Sequence, residues 1–200
     1  ISFYTSSMGD GGAQRTVANL VKGFAESGFD VELLLLRAEG PYLDSLPKET
    51  KIIELEANRA VRSIPELTSY LRDREPEVLF STMEYLNVVA LLSKLLSRAS
   101  TRTAIRAANV QSEKSSSGLR NSAQYQLAKY LYPKADHFIA LSKYVREDFS
   151  DYYGINKDEI SVIYNPVAIE EIQELATEKV APSFPDQDSE LLLNVGSLTE

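Results

Sequence analysis

The sequence predicts a doubly wound α/β fold, a Rossmann-like parallel sheet covered by helices on both faces. Three observations predict it. Short runs of β-formers alternate with segments of helical period from residue 1 to about residue 178. One of those runs, residues 31–36 (VELLLL), is almost continuously apolar, as a strand buried on both faces must be. The first run leads through a glycine-rich turn, MGDGG, directly into a helical pattern.

The elements follow in order. Residues 1–5 (ISFYT) are rich in β-formers and read as a strand. Ala13, Val17, Leu20, Val21 and Phe24 then recur on one helical face, and Gly28 stands where a left-handed residue ends a helix. Residues 31–36 form the second strand and 51–55 (KIIEL) the third. Ser63, followed by Ile64 and Pro65, is expected to N-cap a helix running to about Arg74. A strand over 77–81 (EVLFS), a very apolar helix over 85–96 and a strand over 101–106 come next. Residues 111–118 (QSEKSSSG) read as a polar, mobile loop. A helix over 119–131 is stopped by Pro133, and 136–141 (DHFIAL) is a strand. Ser142 caps a helix that ends before Gly154, and 160–164 (ISVIY) is a strand closed by Asn165-Pro166. Beyond it lie an acidic helix over 169–178, a linker over 179–190 and one more buried-type strand within 191–200. These divisions give one domain over 1–178 and the first strand of a second.

Composition narrows the chemistry. The absence of cysteine excludes disulfides, thiolate zinc sites, iron–sulfur clusters and cysteine nucleophiles. The single histidine, His137, falls early in a strand and reads as a packed or surface residue, so no metal site is expected. No apolar run approaches the ~18–20 residues of a membrane span, and ISFYTSS lacks the basic region of a secretory signal, so a cytoplasmic compartment is expected. A net charge of −8 argues against nucleic-acid binding. Charge is uneven, however. Arg98, Arg102, Arg106, Lys114 and Arg120 against Glu113 make a basic island, either a solvated surface or the face of an anion site. The aromatic run Tyr125, Tyr130, Tyr132, Tyr144, Phe149, Tyr152 and Tyr153 reads mostly as helix packing.

The glycine-rich loop Gly9-Asp10-Gly11-Gly12-Ala13-Gln14-Arg15 lies where a doubly wound sheet binds ligands, at the carboxyl end of a strand and the amino end of a helix. It lacks the G-x-G-x-x-G/A spacing of dinucleotide enzymes and the Lys-Ser/Thr pair of a Walker A loop. An anion-binding loop and a merely tight turn both remain open on spacing alone.

Gly11-Gly12-Ala13-Gln14-Arg15 resembles the GGA(E/Q)R motif of group 1 glycosyltransferases, glycosyltransferase family 4. The resemblance recurs at 135–145 (ADHFIALSKYV), at 162–167 (VIYNPV) with Ala168 where Asp is frequent, and at 194–198 (NVGSL) with Ser197 where Arg is usual. It implies the N-terminal domain of a GT-B architecture, in which two Rossmann-like domains face each other across a cleft. It also implies transfer of a sugar, with retention, from a nucleotide-sugar held mainly by the second domain to a glycan, lipid-linked or polysaccharide acceptor held by the first. No metal or other cofactor is implied. Gly11 and Gly12 would approach the donor diphosphate or the acceptor, with Gln14 and Arg15 beside the cleft. The family's diphosphate-binding Arg/Lys pair and E-x7-E segment belong to the second domain, so these 200 residues alone are expected to transfer little or no sugar.

Topology adds candidates at the carboxyl ends of the other strands: Glu84 after the fourth, Arg106 and Asn109 at the fifth, Ser142 and Lys143 at the sixth, Asn165 after the seventh. Glu84, Arg106 and Asn109 are the catalytic candidates; the rest would contact donor or acceptor. Arg106 either pairs with an acceptor phosphate or carboxylate or forms a salt bridge to Glu84 or another acid. The basic island would hold a lipid diphosphate or touch an anionic membrane. Two rival readings keep the fold: a GT-B sugar-nucleotide epimerase and a non-catalytic binding domain.

Overall fold

The computed structural model describes residues 1–110 and 123–178. The chain divides into two compact units, Ile1–Val167 and a second that begins at Ala168. The first unit is built on seven strands: β1 (Ser2–Thr5), β2 (Glu32–Leu35), β3 (Lys51–Glu54), β4 (Val78–Thr82), β5 (Arg102–Ala107), β6 (His137–Ala140) and β7 (Ile160–Val162). Its helices are α1 (Gly12–Glu26), α2 (Ile64–Arg74), α3 (Glu84–Ser97), α4, described from Ala123 to Leu131, and α5 (Lys143–Tyr153). The second unit contributes α6 (Ile169–Ala176), which the sequence had grouped with the first domain. The 111–118 loop and everything after residue 178 lie outside the described residues.

All strand pairs are parallel, in the order β3-β2-β1-β4-β5-β6-β7. Every strand therefore points its carboxyl end to the same edge. The chain winds outward from β1 to β3, then returns and winds the other way from β4 to β7. The reversal opens a crevice between the carboxyl ends of β1 and β4, where such sheets bind ligands.

The continuous apolar runs are explained by burial on both faces. Tyr4, Leu34 and Leu79 pack on one side with Leu67 and Leu71 of α2 and Leu86, Val89 and Ala90 of α3. Their neighbours Phe3, Leu33, Leu35 and Phe80 point to the other side, against Val17, Ala18 and Val21 of α1. A third cluster joins α3, α4 and α5 to β5–β7 through Tyr132, Phe138, Phe149 and Tyr153. In it the Tyr132 and Tyr153 rings meet edge-on at 4.6 Å. Most of the aromatic run is thus packing, although Tyr130 and Tyr144 remain exposed. β3, an edge strand, leaves Ile52 exposed.

Two caps behave as the sequence indicates. The Ser142 hydroxyl accepts the Val145 amide at 3.1 Å, and Gly154 closes α5 at φ 73°. Ser63 does not cap α2. A turn of 3₁₀ helix, Ala60–Ser63, runs into the helix and gives Ser63 helical dihedrals. Its hydroxyl is fully buried, donates to the Ala60 carbonyl at 2.7 Å and meets the Tyr4 hydroxyl at 2.7 Å. A buried tyrosine 59 residues away outcompetes the local cap, because a phenol in the core must find a partner.

Candidate functional site

The loop between β1 and α1 is held from one side. The Met8 amide donates to the Glu39 carbonyl at 2.8 Å and the Tyr42 amide to the Met8 carbonyl at 3.1 Å. Gly40, at φ 118° and ψ 156°, makes this contact possible. A Cβ there would lie 2.2 Å from the Met8 carbonyl carbon and oxygen. The residue was not singled out by sequence, since its requirement comes from a segment some thirty positions earlier. Gly11 is the N-cap of α1 and offers no side-chain cap, the first turn carries no acid, and Gly11 and Gly12 are both exposed. The first amides of α1 therefore face the open edge of the sheet without a side-chain acceptor. Space around Gly12 is open, with no atom within 4 Å of a Cβ built on it. Gln14 folds back so that its amide oxygen covers Gly11, while Arg15 is exposed.

Across the crevice, β4 ends in a strained residue. Met83 takes φ 74° and ψ 129° as the N-cap of α3, a conformation that a side chain occupies at a cost of ~1–3 kcal/mol. Its sulfur lies 3.9 Å from the Ser6 hydroxyl, which points to it from the β1 side, and accepts from the Tyr85 hydroxyl at 3.4 Å. Nothing in the sequence marks Met83. Glu84 starts α3 and accepts a hydrogen bond from the Tyr153 hydroxyl at 2.9 Å. Burial first, then the neighbouring Tyr132 phenol and the Glu84 carboxylate, raises the Tyr153 phenol well above its ordinary value and keeps it a donor.

Arg106 is 97% buried at the end of β5, at 3% exposure. Its Nη1 donates to the Thr82 hydroxyl at 2.7 Å and its Nη2 to the Asn165 side-chain oxygen. Two of its five N–H donors are thus taken by neutral oxygens, and no ion pair joins it to Glu84 among the described residues. It ties β4, β5 and the segment after β7 together, and Asn87 Nδ2 adds a bond to its carbonyl at 3.1 Å. Burial lowers the guanidinium pKa to about 10, so it stays charged at neutral pH. Asn109 is exposed in a bend just beyond β5, Lys143 is exposed at the start of α5, and Asn165 is exposed apart from its bond to Arg106.

The fold separates the described members of the basic island. Arg102 begins β5 and pairs with Glu77 at 2.8 Å, whereas Arg106 is the penultimate residue of the same strand, roughly 13 Å away at the opposite edge of the sheet. Arg98 ends α3 on the Arg102 side, and Lys114 and Arg120 lie outside the described residues. The arginines that do gather at the carboxyl edge are Arg37, Arg59 and Arg62, from the segments after β2 and β3. A cavity of about 220 Å³ runs from Ser6 and Ser7 past Tyr85 to Arg59, and a second of about 420 Å³ continues past Glu54, Glu56 and Arg62. A larger one, about 680 Å³, opens at the other edge between the end of α1 and the residues before β3. In the sheet order the loop carrying Gly11, Gly12, Gln14 and Arg15 follows β1, and Glu84 follows β4, the next strand. Ser142 and Lys143 follow β6, three strands from β1 at roughly 14 Å, and Asn165 follows β7 but reaches back to Arg106 on β5. Among the described residues no three His, Cys, Asp or Glu side chains converge as a metal-binding group.

A seven-stranded parallel sheet with helices packed on both faces is a Rossmann-like domain of the kind found in the N-terminal half of GT-B proteins. The profile of Glycosyltransferase Family 4 matches residues 10–171, and the chain belongs to that family. Solved structures agree in fold. HepE of Anabaena, in complex with UDP-glucose, superposes with a TM-score of 0.66 at 16% identity, over 88% of this chain and 49% of its own. The lipopolysaccharide outer core galactosyltransferase WaaB, in its apo form, gives 0.60 at 18%, over 94% and 49%. UDP-N-acetylglucosamine 2-epimerase from Rickettsia bellii gives 0.55 at 11%, over 88% and 47%. The chain spans about half the length of these structures. No curated protein sequence is significantly similar to it.

Proposed function

We propose that this chain is the acceptor-side half of a retaining, hexosyltransferase-type glycosyltransferase, moving a sugar from a nucleotide-sugar to a glycan, lipid-linked or polysaccharide acceptor. The observation that carries the reading is the uncapped, acid-free start of α1 at the β1/β4 crevice, in a chain of this family. Transfer breaks the bond between the anomeric carbon and the diphosphate oxygen and forms one to an acceptor hydroxyl oxygen, whose proton passes to the leaving diphosphate. Charge accumulates on the leaving diphosphate. Fixed amide dipoles at the crevice are suited to receive part of it, and Gly11 and Gly12 allow close approach. The UDP and UDP-glucose named with HepE support a nucleotide-sugar as donor. It is a substrate; the reading calls for no resident cofactor.

Residues 191–200 belong in this reading to the donor-binding domain, after a linker at 179–190, and the 200 residues alone transfer no sugar. The work is done in the cytoplasm. Among the described residues no helix is long and apolar enough to cross a membrane. The test is incubation of the intact protein with a nucleotide-sugar panel and glycan acceptors, scored by mass for a new glycosidic bond. A product epimerised at C2, with no bond formed, would replace the transferase reading by an epimerase one. Neither product, with no nucleotide-sugar bound, would leave a binding domain.

A further inference from the structure

The acceptor-side edge carries a charge pattern that specifies what it recognises. The two cavities at the carboxyl ends of β1–β3 share Arg37, Glu39 and Asn58, so they form one trough leading away from the crevice. Their volumes, about 220 and 420 Å³, together fall in the range of a small-molecule site, roughly 300–1,000 Å³. At the inner end stands Tyr85, 44% exposed, its ring anchored by the hydroxyl's bond to the Met83 sulfur and by its place at the start of α3. Such a ring is a rigid apolar platform with a polar rim, suited to the face of a pyranose.

Charges along the trough balance. Three arginines, Arg37, Arg59 and Arg62, stand against three glutamates, Glu39, Glu54 and Glu56. Some are already oriented by one another. Arg37 lies 3.8 Å from Glu39, and Arg62 donates to the Asn58 side-chain oxygen at 3.0 Å. An anion entering here would gain from the guanidinium groups and lose as much against the carboxylates. A polyol meets no such opposition, because its hydroxyls donate to the carboxylates and accept from the guanidinium groups.

We infer that the acceptor is an uncharged glycan, its terminal sugar resting on Tyr85 and the following residues lying between Glu54, Glu56 and Arg62. This deepens the transferase reading and rests on it. It also departs from the anionic acceptor that the basic island had indicated.

The experiment applies the intact protein to a printed array of uncharged, carboxylated, sulfated and phosphorylated glycans, with nucleotide-sugar binding measured in parallel by calorimetry. The expected result is a signal concentrated on uncharged glycans. With the best acceptor, Tyr85→Ala raises acceptor KM about tenfold with a smaller change in kcat, and Tyr85→Phe restores most of it. Replacing Glu54 and Glu56 together by Gln weakens, rather than strengthens, glycan binding at low salt. A preference for anionic glycans, a gain of binding in the Gln variant, or an unmoved KM in Tyr85→Ala overturns the inference. So does donor binding with no glycan bound at all. Absence of donor binding overturns instead the transferase reading beneath it.

Discussion

Gly40→Ala isolates the contact that holds the glycine-rich loop. Gly40 sits at φ 118° and ψ 156°, a region essentially reserved for glycine, so any side chain costs ~1–3 kcal/mol in backbone strain. The new Cβ would also stand 2.2 Å from the Met8 carbonyl and 2.4 Å from the Gly9 nitrogen. Ordinary carbon contacts lie near ~3.5 Å, so a peptide must retreat by about 1 Å. That retreat stretches the Met8–Glu39 and Tyr42–Met8 backbone bonds, now 2.8 and 3.1 Å, at ~1 kcal/mol each. Together the loss is about 3–5 kcal/mol, a large part of the ~5–15 kcal/mol that keeps a typical domain folded. Urea denaturation of the intact protein, followed by far-UV circular dichroism, reads it as a lowered midpoint. Gly12→Ala is the control. Its φ is not positive and its surroundings are open, so stability is unchanged or rises by a few tenths of a kcal/mol, as alanine favours a helix. On the proposed function, nucleotide-sugar affinity nevertheless falls about tenfold, since the added methyl would stand where the donor is proposed to approach the backbone. A Gly40→Ala protein within ~1 kcal/mol of wild type would refute the account of how the loop is held.

Three further outcomes are expected. Ser63→Ala costs about 1–3 kcal/mol by orphaning the buried Tyr4 hydroxyl, and combining it with Tyr4→Phe costs less than the sum of the two single changes, as a double-mutant cycle would show. Ser142→Ala costs ~1 kcal/mol and Ser142→Gly only a few tenths, measured by thermal denaturation, because the hydroxyl caps α5. Burial pushes the Asp136 carboxyl up, but the Thr103 amide and hydroxyl, at 2.8 and 2.9 Å, with Lys94 and His137, hold it below the usual carboxylate value. A depressed folded pKa gives stability that is complete above the unfolded value and is lost as the pH falls through the folded one. Asp136→Asn should therefore be less stable than wild type at pH 7, with the gap closing as the pH drops below about 4. A gap that is constant with pH would rule out this linkage.

Much of the fold was legible because its signals are local. The Ala13–Phe24 spacing, the VELLLL run and the caps at Ser142 and Gly154 each depend on residues within one or two turns. The candidate site was legible only in part. The glycine loop announces itself by composition, and Glu84 by following a strand. Sequence cannot show that Thr82 and Asn165, 24 and 59 residues away, each accept from the Arg106 guanidinium. Met83 gives no sign of its positive φ, which arises from the turn between β4 and α3 at the crevice.

By itself the sequence determined the class of fold, the alternation of strands and helices, the burial of the strands on both faces, and the family through GGAQR and its companion segments. Periodicity and motif survive in one dimension. The tertiary structure alone decided the strand order with its crevice between β1 and β4, the dependence of the glycine loop on Gly40, the buried Tyr4–Ser63 pair, and the regrouping of charge. Arg98, Arg102 and Arg106 are neighbours along the chain, but a strand advances ~3.3 Å per residue and carries them to opposite edges of the sheet. Arg37, Arg59 and Arg62 are scattered in sequence, and two parallel strands ending side by side deliver them to one trough.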